Sequence, residues 1–120
     1  MPWLYYQRTG VIQHNAVVIG TGYSGTGTGF NNSADQSKHN LGPIPRGMYT
    51  IGAPKDEPHN PYVLPLVPDK GNQMFGRSGF LIHGDSIAHP GAASQGCIIL
   101  PRWIREKIVA SKDAVLEVVE

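Results

Sequence analysis

Residues 79–100, GFLIHGDSIAHPGAASQGCIIL, decide how this chain is read. They set His83 at the end of an apolar run and Cys97, the only cysteine, fourteen positions later. Small residues flank both, in His83-Gly84 and in Ser94-Gln95-Gly96-Cys97. Residues 80–82 before the histidine and 98–100 after the cysteine have β character. Laid side by side, the two segments bring an imidazole and a thiol together, the minimum for a thiol nucleophile with a general base. A lone cysteine is by default a small buried hydrophobe, so its context matters. Gly96 puts no side chain in the path of an approaching carbonyl, and the Gly96 and Cys97 amides are candidate oxyanion donors.

The surrounding composition supports a β scaffold. The chain has 120 residues with 15 Gly and 10 Pro, only 16% charged residues and a formal net charge of +1. That length fits one domain spanning residues 1–120 with a single core. Glycine and proline at this level, interspersed with short Val/Ile/Tyr runs, read as a mainly β, loop-rich fold. No basic stripe suggests nucleic acid as a partner. A single cysteine excludes an internal disulfide framework. The start, MPWLYYQRTG, lacks a basic stretch followed by an apolar one, and no run approaches the roughly 18 apolar residues of a membrane span. The expectation is a protein made in the cytoplasm without a signal peptide and without membrane insertion.

Working outward, residues 3–7 read as a strand, 8–10 as a turn, and 11–13 and 16–19 as further strands of a meander joined at His14-Asn15. Residues 20–25, GTGYSG, match the dinucleotide fingerprint G-x-G-x-x-G. The continuation TGTGFNNS cannot start the helix that fingerprint needs, and the acidic residue expected about 20 positions on is missing. The dinucleotide reading is rejected. Residues 26–41 form a long polar loop of the kind often tied to function, with Tyr23 and Ser24 at its entrance. Pro43 and Pro45 fix a turn into a strand whose Met48 and Thr50 share one face and Tyr49 and Ile51 the other. Residues 62–67 form another apolar segment, whose Pro65 points to an edge or a bulge. Pro101 opens a helix over 102–112, with Ile104 and Ile108 facing the core and Arg102, Arg105, Glu106 and Lys112 facing water. Residues 114–119 close the chain as a strand buried on both faces.

Two groups of residues invite a metal reading. His83, Asp85, His89 and Cys97 match no common zinc set, and Asp56, Glu57 and His59 sit in a Pro-rich loop where adjacent carboxylates are usually solvated. No metal or other cofactor is expected.

The order His before Cys, in His83-Gly84 and then Ser94-Gln95-Gly96-Cys97-Ile98, resembles the catalytic motif of the YkuD-type L,D-transpeptidases of bacterial cell walls. The element Pro45-Arg46-Gly47-Met48-Tyr49 is similar to that family's Pro-x-Gly-x-(Phe/Tyr). Gln95 stands where the family usually has a second histidine, Ile99 where many members carry Arg or Asn, and the His-to-Cys interval is short. With Tyr23-Ser24-Gly25 and the lead-in from Arg77 to Ser86, these features resemble the small L,D-transpeptidase-like toxins delivered by type VI secretion systems.

The resemblance implies a YkuD-like β-sandwich or barrel-like fold with one C-terminal helix. It implies L,D-carboxypeptidase cleavage of peptidoglycan tetrapeptide stems, with exchange of the terminal D-alanine for another D-amino acid. Its partners would be those stems, the secretion machinery and a cognate immunity protein, and its site of action the periplasm of a target bacterium. Cys97 and His83 take the catalytic roles, and a backbone carbonyl near Gly84 or Ser86 orients the histidine. Gly96, Ser94, Gly84, Asp85, Ser86, Arg77 and Tyr23 are candidates for oxyanion or substrate contact. Arg77, Arg46 and Arg102 are left open as the group that meets the substrate carboxylate. The reading from a different class is a peptidoglycan-binding module without catalysis.

Overall fold

A computed structural model describes residues 2–58 and 60–120. His59, and with it the weighed Asp56, Glu57 and His59 set, lies partly outside the described residues.

The fold is mainly β with a single helix near its C-terminal end. Among the described residues, ten strands follow in chain order: β1 (Trp3–Tyr6), β2 (Val11–His14), β3 (Val17–Thr21), β4 (Tyr23–Ser24), β5 (Gly47–Ile51), β6 (Lys55–Glu57), β7 (Asn60–Pro68), β8 (Leu81–His83), β9 (Ile98–Ile99) and β10 (Val115–Val119). The helix α1 (Arg102–Ser111) lies between the last two. The strands pair along one path, β3-β2-β1-β10-β5-β7-β8-β9-β4, with β6 added beside β7. The path is open, yet its two end strands, β3 and β4, are separated in sequence by Gly22 alone. The chain thus passes from one end of this open, mixed sheet path to the other across a single residue.

The N-terminal meander follows the sequence expectation. Asn15 and Ala16 both take positive φ, 51° and 64°, as a tight two-residue hairpin turn requires. The G-x-G-x-x-G stretch runs through β3 and β4 rather than into a helix, and residues 26–41 hold only two short 3-10 turns.

Alternation sets the buried face. In β5, Tyr49 and Ile51 are buried and Thr50 is exposed. They join Trp3, Tyr5, Ile12, Leu64, Ile82 and Leu116 in one hydrophobic cluster. β10 departs from expectation: Leu116 and Val118 are buried, whereas Val115 on the other face is open to solvent. Pro65 is not on an edge strand either. β7 lies between β5 and β8 and changes partner at this residue, residues 66–68 pairing with β5 and 64–65 with β8. A proline is tolerated where the ladder divides, because its missing N–H breaks no continuous set of bonds.

In α1, Pro101 is the N-cap and Lys112, in the left-handed conformation at φ 59°, ends the helix. Ile104 and Ile108 seat it on the core, each worth about 1.5–3 kcal/mol of burial. Arg105 does not face water as the helical period predicts; it is 6% exposed. It lies beside the apolar stripe, so its stem follows the core while the guanidinium meets backbone carbonyls.

Candidate functional site

β8 and β9 are parallel neighbours, with Ile82 opposite Ile98 and His83 opposite Ile99. Parallel strands need a crossover of a dozen or more residues, and residues 84–97 supply it. This crossover is the lead segment of the sequence, and it carries most of the candidate residues.

His83 is fixed first. Its Nδ1 lies 2.8 Å from the Gly84 carbonyl. A carbonyl only accepts, so Nδ1 carries the proton and the Nε2 lone pair is left to act as a base. The backbone carbonyl expected near Gly84 or Ser86 is that of Gly84. The ring is 9% exposed. Burial, above all, holds its pKa below the ordinary 6.5; the Gly84 bond opposes this, while the positive charge of Arg105 adds to it. The imidazole is neutral at pH 7.

Cys97 precedes β9 by one residue and lies against the start of β8, where the Leu81 amide donates to its Sγ at 3.3 Å. Two residues of strand, about 6.6 Å of rise, separate Leu81 from His83. No hydrogen bond joins imidazole and thiol among the described residues, as is common before substrate binds. At rest the surroundings of Cys97 do not favour the thiolate. Burial pushes the Cys97 pKa above 9.0, only partly offset by the Leu81 amide and the charge of Arg77.

The turn before Cys97 is built around Ser94, which is fully buried. Its Oγ accepts from Gly25 N at 2.9 Å and Gly96 N at 3.0 Å and donates to the Cys97 carbonyl at 2.6 Å. Ser94 therefore shapes the turn. The Gly96 amide, expected as an oxyanion donor, is already spent on that serine, and the Cys97 amide is used by none of these contacts. Gly96 has φ +132°, and a Cβ there would lie 2.5 Å from Arg77 Nη2 and 2.8 Å from Phe80 Cε1. Only glycine fits.

Arg77 is buried behind the turn. Its Nη1 donates to the carbonyls of Gln36 (2.6 Å) and Pro43 (2.7 Å), and its Nη2 to those of Gly42 (2.9 Å) and Gln95 (3.2 Å). These bonds tie the 36–43 loop to the cysteine turn, so both terminal nitrogens of Arg77 position backbone.

On the histidine side, a cleft of about 530 Å³ is lined by His83, Gly84, Asp85, Ser86 and Arg105, among others. Tyr23 and Asp85 brace its wall. The Tyr23 hydroxyl donates to Asp85 Oδ1 at 2.5 Å and accepts from Ala93 N at 3.0 Å. Burial first, then Asp85, pushes the Tyr23 pKa up to about 12. Asp85 also accepts from the amides of Ser86 and Gly91. Burial works to raise its pKa, but the Tyr23 hydroxyl and these amides outweigh it and hold the carboxyl below 3.8. Ser86 Oγ accepts from His89 N at 3.0 Å. The structure thus brings Tyr23, Asp85 and Ser86 together as one loop brace. Cys97, half-buried, is not part of the cleft wall.

The remaining arginines separate cleanly. Arg46 pairs with Glu120 at 3.7 Å, and Arg102 pairs with Glu106 and lies over the Tyr62 ring at 4.4 Å. Neither lines the cleft. Arg105 does, and sequence reasoning missed it. The signal available was its place next to Ile104 and one turn before Ile108, at the border of the buried face.

Among the described residues, no three His, Cys, Asp or Glu side chains converge as metal ligands, so His83, Asp85, His89 and Cys97 do not form a set. Among the described residues, no helix is long and apolar enough to cross a membrane.

No curated protein and no solved structure matches the chain. A family model described as Tlde1 domain matches residues 19–119, from within β3 to the end of β10, and so takes in both His83 and Cys97. The chain belongs to the Tlde1 domain family, a family of type VI secretion effectors.

Proposed function

We propose that this effector is a cysteine L,D-carboxypeptidase with L,D-transpeptidase capacity, acting on peptidoglycan tetrapeptide stems in the periplasm of a target bacterium. The observation that carries the reading is the parallel β8–β9 pair, which sets His83, with Nδ1 held by Gly84, beside the strand that Cys97 opens. The YkuD-like motif resemblance supplies the substrate class.

Both reacting groups rest neutral. As the stem's scissile carbonyl enters, His83 Nε2 takes the Cys97 proton and Sγ attacks, forming a C–S bond and an oxyanion. The Cys97 amide is the backbone donor left for that oxyanion, an effect of about 3 kcal/mol. His83 then gives its proton to the leaving amine, the C–N bond breaks and D-alanine departs. Water or the amine of another D-amino acid attacks the thioester, and the thiol is restored. An effector with this activity would need an immunity protein in the cell that makes it.

A second reading, a peptidoglycan-binding module with Cys97 as a buried relic, draws on two observations: the raised thiol pKa and the absence of Cys97 from the cleft wall. Wild type and Cys97→Ala incubated with disaccharide tetrapeptide, with and without D-methionine, separate the two by mass spectrometry. Loss of D-alanine by wild type alone, with a mass gain when D-methionine is added, is expected. Binding without cleavage by both proteins would replace the enzyme with the module. Alkylation rate does not discriminate, because a thiol held protonated reacts slowly in either case.

A further inference from the structure

Arg105 is a buried guanidinium with one edge unspent. Its Nε donates to the Leu100 carbonyl at 3.1 Å, and its Nη1 to the carbonyls of Pro61 at 3.1 Å and Tyr62 at 2.8 Å. Among the described residues, no hydrogen bond or ion pair occupies Nη2. That nitrogen lies against Gly84, where a Cβ would stand only 2.9 Å from it. Gly84 therefore has two uses: its carbonyl holds His83, and its missing side chain leaves Nη2 room at the floor of the cleft. Arg105 also lines the same cleft as His83, and its charge is close enough to bear on the imidazole. The other charge in the cleft, Asp85, already accepts from Tyr23 and from the Ser86 and Gly91 amides. A cation with a free donor edge beside a general base is a seat for an anion whose neighbouring amine that base serves.

We infer that Arg105 Nη2 binds the α-carboxylate of the D-amino acid, both the one leaving the stem and the one that enters in exchange. This rests on the carboxypeptidase reading above and adds its specificity: cleavage only at a chain end, and acceptance of free amino acids. In the exchange step the bound amino acid's amine attacks the thioester carbonyl. A C–N bond forms, the C–S bond breaks, and the amine proton passes through His83 Nε2 to the departing thiolate. Water, the competing nucleophile, has no carboxylate and gains nothing from Arg105.

The test is the ratio of exchange to hydrolysis, which depends only on steps after the thioester has formed. D-Methionine is compared with D-methioninamide as acceptor in wild type, Arg105→Lys and Arg105→Gln, with folding checked by circular dichroism. Wild type is expected to prefer the carboxylate acceptor about ten-fold or more, a charge-assisted bond being the difference. Arg105→Lys keeps part of the preference and Arg105→Gln loses it. Equal use of acid and amide by wild type, or an unchanged preference in folded Arg105→Gln, overturns the inference. A second arm needs no chemistry: Cys97→Ala is titrated with D-methionine while the His83 ring protons are followed by NMR. A saturable shift that vanishes with the amide and in Arg105→Gln supports the carboxylate seat even if no turnover is found. No shift at any concentration that the amino acid's solubility allows overturns it, whatever the fate of the catalytic reading.

Discussion

Two arginines, each 6% exposed, flank the proposed His83–Cys97 pair and are used differently. Arg77, on the cysteine side, gives both terminal nitrogens to the carbonyls of Gln36, Gly42, Pro43 and Gln95 and has become part of the backbone's own bonding. Arg105, on the histidine side, is held by Leu100, Pro61 and Tyr62 through Nε and Nη1 and keeps Nη2 for the cleft. Burial and charge are the same, so neither tells a scaffold arginine from a binding one. The count of satisfied donors does. Arg77 has both terminal nitrogens bound to backbone carbonyls, whereas Arg105 has one terminal nitrogen left over at the cleft it shares with His83, where a ligand can use it.

The comparison breaks first through loss of Cys97. Cys97→Ala is expected to lower stem cleavage by about 1,000-fold or more, as removal of a nucleophile does, with unfolding by urea nearly unchanged. If stability collapses instead, the cysteine belongs to the scaffold side of the molecule. Arg77→Met should lower unfolding stability by about 3–5 kcal/mol, since several buried carbonyls lose donors at roughly 1–3 kcal/mol apiece. The acceptor preference of whatever remains folded should not move. A shift in that preference would mean that Arg77 also reaches the substrate. Ser94→Ala should cost about 2 kcal/mol by the same reasoning, with a fall in turnover that follows displacement of the Cys97 turn.

Smaller effects sharpen the histidine side. His83 has a folded pKa depressed below 6.5, so the unfolded chain binds more protons than the folded one as pH falls through that value. Its contribution to stability is complete above about 6.5 and is lost as pH drops toward the folded pKa. In the proposed mechanism the active form is the neutral base, so the acidic limb of turnover should lie below 6.5 as well. Arg105→Gln should move that limb toward higher pH, because a cation that disfavours the imidazolium has gone, and Arg105→Lys should leave it in place. Smallest is Tyr23→Phe, which removes the hydroxyl between Asp85 and Ala93. It should cost about 1 kcal/mol and raise KM more than it lowers kcat.

Much of this was legible in the sequence where a local pattern carries the information. The apolar runs flanking His83 and Cys97 read as neighbouring strands because both are short, β-prone and bounded by small residues, and they pair as parallel strands. The histidine's orienting carbonyl came from the family resemblance, which left Gly84 and Ser86 open, and it is that of Gly84. What the sequence could not convey depends on which distant segments meet. Ser94 looks like a substrate contact until Gly25 is placed against it. Gly96 looks like a free oxyanion donor until the same serine takes its amide. Arg105 reads as a solvent-facing helix residue because the 3.6-residue period gives a direction and not an environment. That the direction leads into a cleft depends on Pro61, Tyr62 and Gly84, all far away in sequence.

The position of β10 bears on how the protein is born. The last strand of the chain lies inside the sheet, parallel to β1 on one side and antiparallel to β5 on the other. Pairing of Trp3 with Leu116 joins residues far apart in sequence, the kind of non-local contact that makes folding slow. While the ribosome is still adding residues 115–119, the N-terminal meander and the half that carries His83 and Cys97 have no strand to join them. Assembly of the sheet therefore waits until residues 115–119 have been made.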